Sequence, residues 1–188
     1  MIILTGFGPY GKYTTNLSGE IVKNFFFQNK KFQIIPKVLP VSWNKSIKIY
    51  KNLLSELNSL PELVVLLGIH SCNKIHLERY AWNFKIGDDI EHRIKFGPIR
   101  KLSSLWIKTI VNLNEIYINF KDKRNLSISS FPGFYLCNYL YYWALYLSKK
   151  KYPVIFIHVP EKGNIYKITK EIEIILNTLI KTHFKEVL

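Results

Sequence analysis

Apolar runs and amphipathic stretches alternate along this chain. Residues 1–5, MIILT, form a short apolar run closed by Gly6, and residues 63–68, LVVLLG, form a longer one of the kind expected for a strand covered on both faces. Residues 32–39 alternate like a strand and stop at Pro40, and residues 75–84, 126–130 and 154–159 give three further predicted strands. Helical patterns lie between them. Ser18 is placed to cap a helix running to residue 28, and residues 43–57 bring Ile47, Tyr50, Leu53, Leu54 and Leu57 to helical spacing. Residues 103–117, 134–148 and 165–181 complete the predicted helices, whereas residues 85–100, with Gly87, Gly97 and Pro98 among mixed charges, read as a loop or an edge hairpin. Strand alternating with helix predicts an α/β fold. Strands buried on both faces need helices above and below, which makes it a three-layer α/β/α sandwich around a central, mostly parallel mixed sheet. No repeat or linker interrupts the pattern, so residues 1–188 read as a single domain.

Composition removes several other classes. A chain that is 48% hydrophobic and 21% charged is not disordered as a whole. Cys72 and Cys137 are too few for a disulfide scaffold, and no basic-then-apolar leader precedes MIILTGF, so the expectation is a reducing, cytoplasmic setting. The net charge of +14 first suggests nucleic acid. Yet only Arg79, Arg93, Arg100 and Arg124 are arginines, and the lysines are scattered among Ile, Asn, Tyr and Phe, the mixture that adenine- and thymine-rich codons produce. A phosphate-binding stripe would cluster and would favour arginine, so no nucleic-acid partner is expected. The apolar helix at 134–148 contains Asn138 and is shorter than the roughly 20 residues a bilayer requires, so no membrane partner is expected.

Candidate chemistry concentrates at a few strand ends. Cys137 falls early in a helix that follows Pro132-Gly133, where backbone N–H groups favour a thiolate; the alternative is an inert buried cysteine. His158 ends the apolar run VIFIHVP, at the carboxyl end of a strand where α/β sheets bind ligands, so it is either a general base or a structural histidine. Glu78, in IHLERYAWN, either orients an imidazole or pairs with Arg79 or a lysine. His70, Cys72, His76 and Glu78 are all of ligand type, but their spacing matches no paired-ligand pattern and no second cluster completes it; no metal is expected. Gly6, Gly8 and Gly11 have dinucleotide-loop spacing but precede a polar loop rather than a helix, and no acidic residue follows the next strand, so no nucleotide cofactor is expected either. Phe7, Tyr10 and Tyr13 read instead as part of a small apolar pocket.

Five segments, in order, resemble one family. TGFGPYG with Asn16 and Ser18, VLPV at 38–41, LERYAWN, GFYLCN at 133–138 and FIHVP at 156–160 are similar to the motifs of the pyroglutamyl peptidases, a family of cysteine peptidases also called pyrrolidone carboxyl peptidases. The resemblance spans nearly the whole chain. It implies a cofactor-free exopeptidase that removes N-terminal pyroglutamyl residues from peptides, with Cys137 as nucleophile, His158 as base and Glu78 holding the imidazole. It also implies that Phe7, Tyr10, Asn16, Tyr135 and Leu136 serve the substrate pocket, and that the chain assembles as a dimer or tetramer. The resemblance departs in HSCNKIH, which lacks the family's arginine, and at Asp88, which stands where the family carries another. Those departures leave room for a homologue with weak or no turnover that acts as a binding or regulatory protein, and the charge for a basic nucleic-acid-associated one.

Overall fold

The computed structural model describes residues 1–11, 14–27 and 31–183. Along the chain come β1 (Ile2–Phe7), α1 (Leu17–Lys23), β2 (Ile34–Leu39), α2 (Trp43–Ser55), β3 (Leu63–His70), β4 (Ile75–Glu78), β5 (Tyr80–Trp82), β6 (Lys85–Gly87) and β7 (Lys95–Gly97). They are followed by β8 (Trp106–Lys108), α3 (Leu113–Asn119), β9 (Leu126–Ser129), α4 (Leu136–Ser148), β10 (Val154–Pro160) and α5 (Ile165–His183). Six strands form the central sheet in the order β2-β1-β3-β10-β4-β9. The first four of these are parallel, β4 runs antiparallel to β10, and β9 is parallel to β4.

The continuous apolar runs occupy the middle of the sheet because both of their faces are covered. Successive residues of each run enter different layers of core. Ile2, Leu4, Val65, Leu67, Ile155 and Ile157 pack with Ile21 of α1, Ile116 of α3 and Ile172 of α5. Ile3, Val64, Leu66, Val154 and Phe156 pack on the opposite side with Trp43 and Tyr50 of α2 and Leu140 and Tyr141 of α4. This alternation is the two-residue period of a strand read twice, and it makes the predicted three-layer α/β/α sandwich. β2 lies at an edge, where Pro36 leaves no central ladder bond unmade.

The structure differs from the sequence pattern in three places. The predicted helix at 103–117 is absent over its first half, where β8 pairs with β5 and only Leu113–Asn119 is helical. Ile107, Thr109, Ile110 and Val111 are β-branched, the Thr109 hydroxyl donates to the Val154 carbonyl at 2.6 Å, and Asn112 caps the late helix through the Glu115 N–H. The predicted strand at 75–84 is split at Arg79 into β4, inside the sheet, and β5, outside it. The first helix is capped by Asn16 rather than Ser18 and ends at Lys23, before the predicted residue 28, which lies outside the described residues. The stretch 85–100 contains the hairpin of β6 and β7. Among the described residues no helix is long and apolar enough to cross a membrane.

Candidate active site

The carboxyl ends of β1, β3 and β10 meet the start of α4. His158 of β10 stands in register with Gly68 of β3 on one side and His76 of β4 on the other. Strand alternation puts His158 on the α4 side of the sheet with Phe156, and puts Glu78 there too, one residue past the opposite-facing Leu77. Glu78 is 1% exposed and His158 5%, and the His158 Nδ1–H donates to Glu78 Oε1 at 2.8 Å. Glu78 is therefore not spent on Arg79 or a lysine. The other carboxylate oxygen, Oε2, is buried without a hydrogen-bond partner.

Cys137 is the second residue of α4, closer to the helix start than the sequence pattern places it. Its sulfur lies near enough to the His158 ring to interact with it electrostatically. Burial pushes the His158 pKa down, but the Cys137 sulfur and then the Glu78 carboxylate outweigh it and hold the ring up at about 9. Gly68 makes this approach possible. A Cβ there would sit 2.7 Å from the Cys137 sulfur and 2.7 Å from the edge of the Phe156 ring.

Two buried side chains lock α4 in place, one to β5 and the residue pair just after it, the other to the end of β4 that carries the carboxylate. Asn138 accepts from the Trp82 N–H at 2.7 Å and donates to the Trp82 and Phe84 carbonyls at 2.8 Å each. The Tyr141 hydroxyl donates to the Glu78 carbonyl at 2.9 Å. Neither role stands out in the sequence, where Asn138 is only a polar residue in an apolar helix.

A small cavity of about 50 Å³ opens beside the sulfur, lined by Phe7, Tyr10, Asn16, Tyr135 and Leu136 together with Val41, Ile69 and Cys137. The five residues that the family resemblance assigns to the pocket come together there. Val41 and Ile69 were not nominated; Val41 lies within the VLPV motif and Ile69 directly after the buried run of β3, which are the signals that could have found them. Tyr13 lies outside the described residues. Asn16 Oδ1 accepts from both the Ser18 N–H and hydroxyl, and Ser18 Oγ accepts from the Phe7 N–H, which ties the two ends of the pocket loop together. Gly6 permits that closure, because a Cβ there would lie 2.3 Å from the Ser18 carbonyl oxygen. Apart from the Cys137 sulfur, the lining residues are apolar, aromatic or, in Asn16, neutral and polar.

A model of the pyroglutamyl peptidase family matches residues 1–177. The chain belongs to the pyroglutamyl peptidase family. It is 31% identical over 174 residues to a pyrrolidone-carboxylate peptidase of Bacillus mycoides, covering 85% of this chain and 77% of that one. It is 32% identical over 176 residues to one of Thermosipho africanus, covering 85% and 80% respectively. Among solved structures, pyrrolidone carboxyl peptidase from Thermococcus litoralis superposes with a TM-score of 0.90 at 25% identity, over 98% of this chain and 95% of that one. The enzyme from Fervidobacterium islandicum gives 0.83 at 26% identity, over 96% of this chain and 98% of that one.

As a pyroglutamyl peptidase, the chain carries its departures close to the pocket. Asp88 is exposed, and its backbone carbonyl accepts from the Tyr135 hydroxyl at 2.5 Å. Arg93, a candidate stand-in for the family's arginine, is exposed and faces Glu91 at 3.7 Å instead. The arginine-free stretch HSCNKIH brings His70 and His76 into ring contact at 4.3 Å, and His70 lies 5.3 Å from His158. Burial pushes His70 down to about 4, although its contact with the Lys74 carbonyl resists, and burial likewise lowers His76.

Proposed function

We propose that this chain removes N-terminal pyroglutamyl residues from peptides through Cys137, His158 and Glu78. The observation that carries the reading is an apolar, aromatic-lined pocket ending at a sulfur that interacts with an imidazole, whose Nδ1 a buried carboxylate holds at 2.8 Å. A five-membered lactam has no charge to pair, so an apolar slot suits it. At neutral pH a His158 held at about 9 carries a proton, the charge that favours a thiolate, the nucleophilic form of cysteine, beside it.

The thiolate attacks the pyroglutamyl carbonyl, and the oxyanion forms beside the first turn of α4. Tyr135, the N-cap, makes no side-chain capping hydrogen bond there, and the N–H of Cys137, second residue of the helix, has no partner within it and serves as donor to the oxyanion. A donor of that kind contributes roughly 2.7 to 4 kcal/mol to the transition state. His158 protonates the leaving amine, which leaves a pyroglutamyl thioester on Cys137. The neutral ring then takes a proton from water as it attacks, freeing pyroglutamate and restoring the pair. Glu78 keeps the ring oriented and offsets its positive charge. Both cysteines are free thiols, which fits a reducing compartment such as the cytoplasm.

Hydrolysis of a fluorogenic pyroglutamyl amide tests this directly. Turnover is expected in the unmodified chain, and is expected to vanish in Cys137→Ser and after thiol alkylation. Equal rates in Cys137→Ser would remove the sulfur from the reaction, and binding of the amide without turnover would favour a binding homologue.

A further inference from the structure

The loop between β3 and β4 brings together three ligand-type side chains that have no part in the peptidase reading. β3 and β4 both border β10, with His70 opposite Pro160 and His76 opposite His158, so the loop crosses the carboxyl end of β10. Cys72 lies in that loop. One ring nitrogen each of His70 and His76 and the Cys72 sulfur lie within 4.8 Å of one another. Glu78, the fourth ligand type in the sequence cluster, is committed to His158.

We propose that His70, Cys72 and His76 form a binding site for a divalent transition-metal ion of the zinc class, beside the Cys137–His158 pair and separate from it. Two imidazoles and a thiolate are the donor set such ions select, whereas magnesium and calcium take oxygen. The His70 Nε2 lies 2.8 Å from the Lys74 carbonyl, which can only accept, so the proton belongs on Nε2 and Nδ1 keeps a lone pair free to bind an ion. Metal-binding histidines typically donate their second nitrogen to a carbonyl or carboxylate in this way. In a tetrahedral zinc site the donor atoms stand roughly 3.3 to 3.8 Å apart, so closure needs a movement of about 1 Å, which the exposed Cys72 is free to supply. Three protein ligands leave the fourth position to water. The spacing in sequence hides this arrangement because the ligands meet across an inserted strand.

Titration of the full chain with cobalt(II) under a phosphine reductant tests the proposal without reference to activity. One equivalent is expected to bind with sulfur-to-cobalt charge-transfer absorption in the near ultraviolet, and zinc is expected to displace it. Cys72→Ser, at an exposed position, is expected to abolish that absorption while the far-ultraviolet circular dichroism stays unchanged. His76→Asn is expected to weaken binding by at least about tenfold, the lower end of what outer-shell changes alone produce. Cys137→Ser is expected to keep the absorption. No sulfur band in the unmodified chain would overturn the proposal. So would a band that survives Cys72→Ser, or one that disappears in Cys137→Ser, which would place the ion on the catalytic sulfur.

Discussion

Two walls meet at the pocket, and they are built differently. The inner wall consists of β10, β3, β4 and the first turn of α4. Its polar groups are buried and tied to one another: Glu78 to His158, Asn138 to three backbone groups, and Tyr141 to the Glu78 carbonyl. The outer wall is the β6–β7 hairpin and the segment after β6, held by the Ile86 N–H to the Phe134 carbonyl, the Ile90 N–H to the Val41 carbonyl and the Tyr135 hydroxyl to the Asp88 carbonyl. This hairpin carries Ile94 and Phe96 outward at 80% and 75% exposure. A displaced atom in the inner wall disturbs close packing in every direction, whereas the outer wall yields by loosening a few bonds next to water. Chemistry should therefore depend on the inner wall and substrate affinity on the outer one.

After loss of the nucleophile itself, the largest expected effect comes from the carboxylate. Glu78→Gln keeps the shape of the side chain but removes the charge that steadies the imidazolium, and is expected to lower turnover by roughly 10²- to 10⁴-fold with the fold intact. The pH profile adds an independent readout. Glu78 is one of the groups that hold His158 at about 9, so its neutralisation lowers the ring's pKa. The protonated ring is then lost at lower pH, and the alkaline limb of kcat/KM, near 9 in the unmodified chain, is expected to move down. Unchanged turnover with an unmoved limb would remove Glu78 from the mechanism.

A smaller but sharper effect is expected at Gly68→Ala. The added methyl group would meet the Cys137 sulfur and the Phe156 ring, both at 2.7 Å. Neither neighbour is the far end of a flexible chain, so the sulfur or β3 must move. Overpacking of this kind costs about 1 to 3 kcal/mol of stability. A misplaced nucleophile is expected to reduce turnover on the order of 10²-fold, beyond what lost stability explains. Thermal melting and single-turnover kinetics on the same sample separate the two, and full turnover in a stable variant would show that the sulfur position is not set here.

Much of the inner wall was legible in sequence because its signals are local. An apolar run that suddenly admits a histidine, a cysteine four residues after Gly133, and a glutamate next to Leu77 and two residues before Tyr80 all stand out without knowledge of their spatial neighbours. The central strands were legible for the same reason. What could not be read depends on pairing. The β-branched stretch at 107–111 passes for a helix until β5 is there to pair with β8, and the contact between His70 and His76 exists only because β10 lies between β3 and β4. Val41 and Ile69 look like ordinary core residues until the loop carrying Tyr10 closes over them.

The outer wall gives the smallest expected effect, at Tyr135. Its ring lines the pocket and packs edge-on against Trp43 at 5.5 Å, while its hydroxyl tethers the Asp88 carbonyl. Tyr135→Phe keeps the ring and removes the tether. Because Asp88 is exposed, water can take over its carbonyl, and the net loss should be about 1 kcal/mol, the ordinary value of one hydrogen bond. The hydroxyl is spent on that carbonyl, so the loss is expected to fall equally on the bound ground state and the transition state. KM is then expected to rise about fivefold with kcat unchanged, since 1.4 kcal/mol corresponds to tenfold. Steady-state kinetics on the pyroglutamyl amide reads both constants. A fall in kcat as large as that of Gly68→Ala would mean that the hairpin positions the reacting groups as well, and the division of labour between the two walls would be lost.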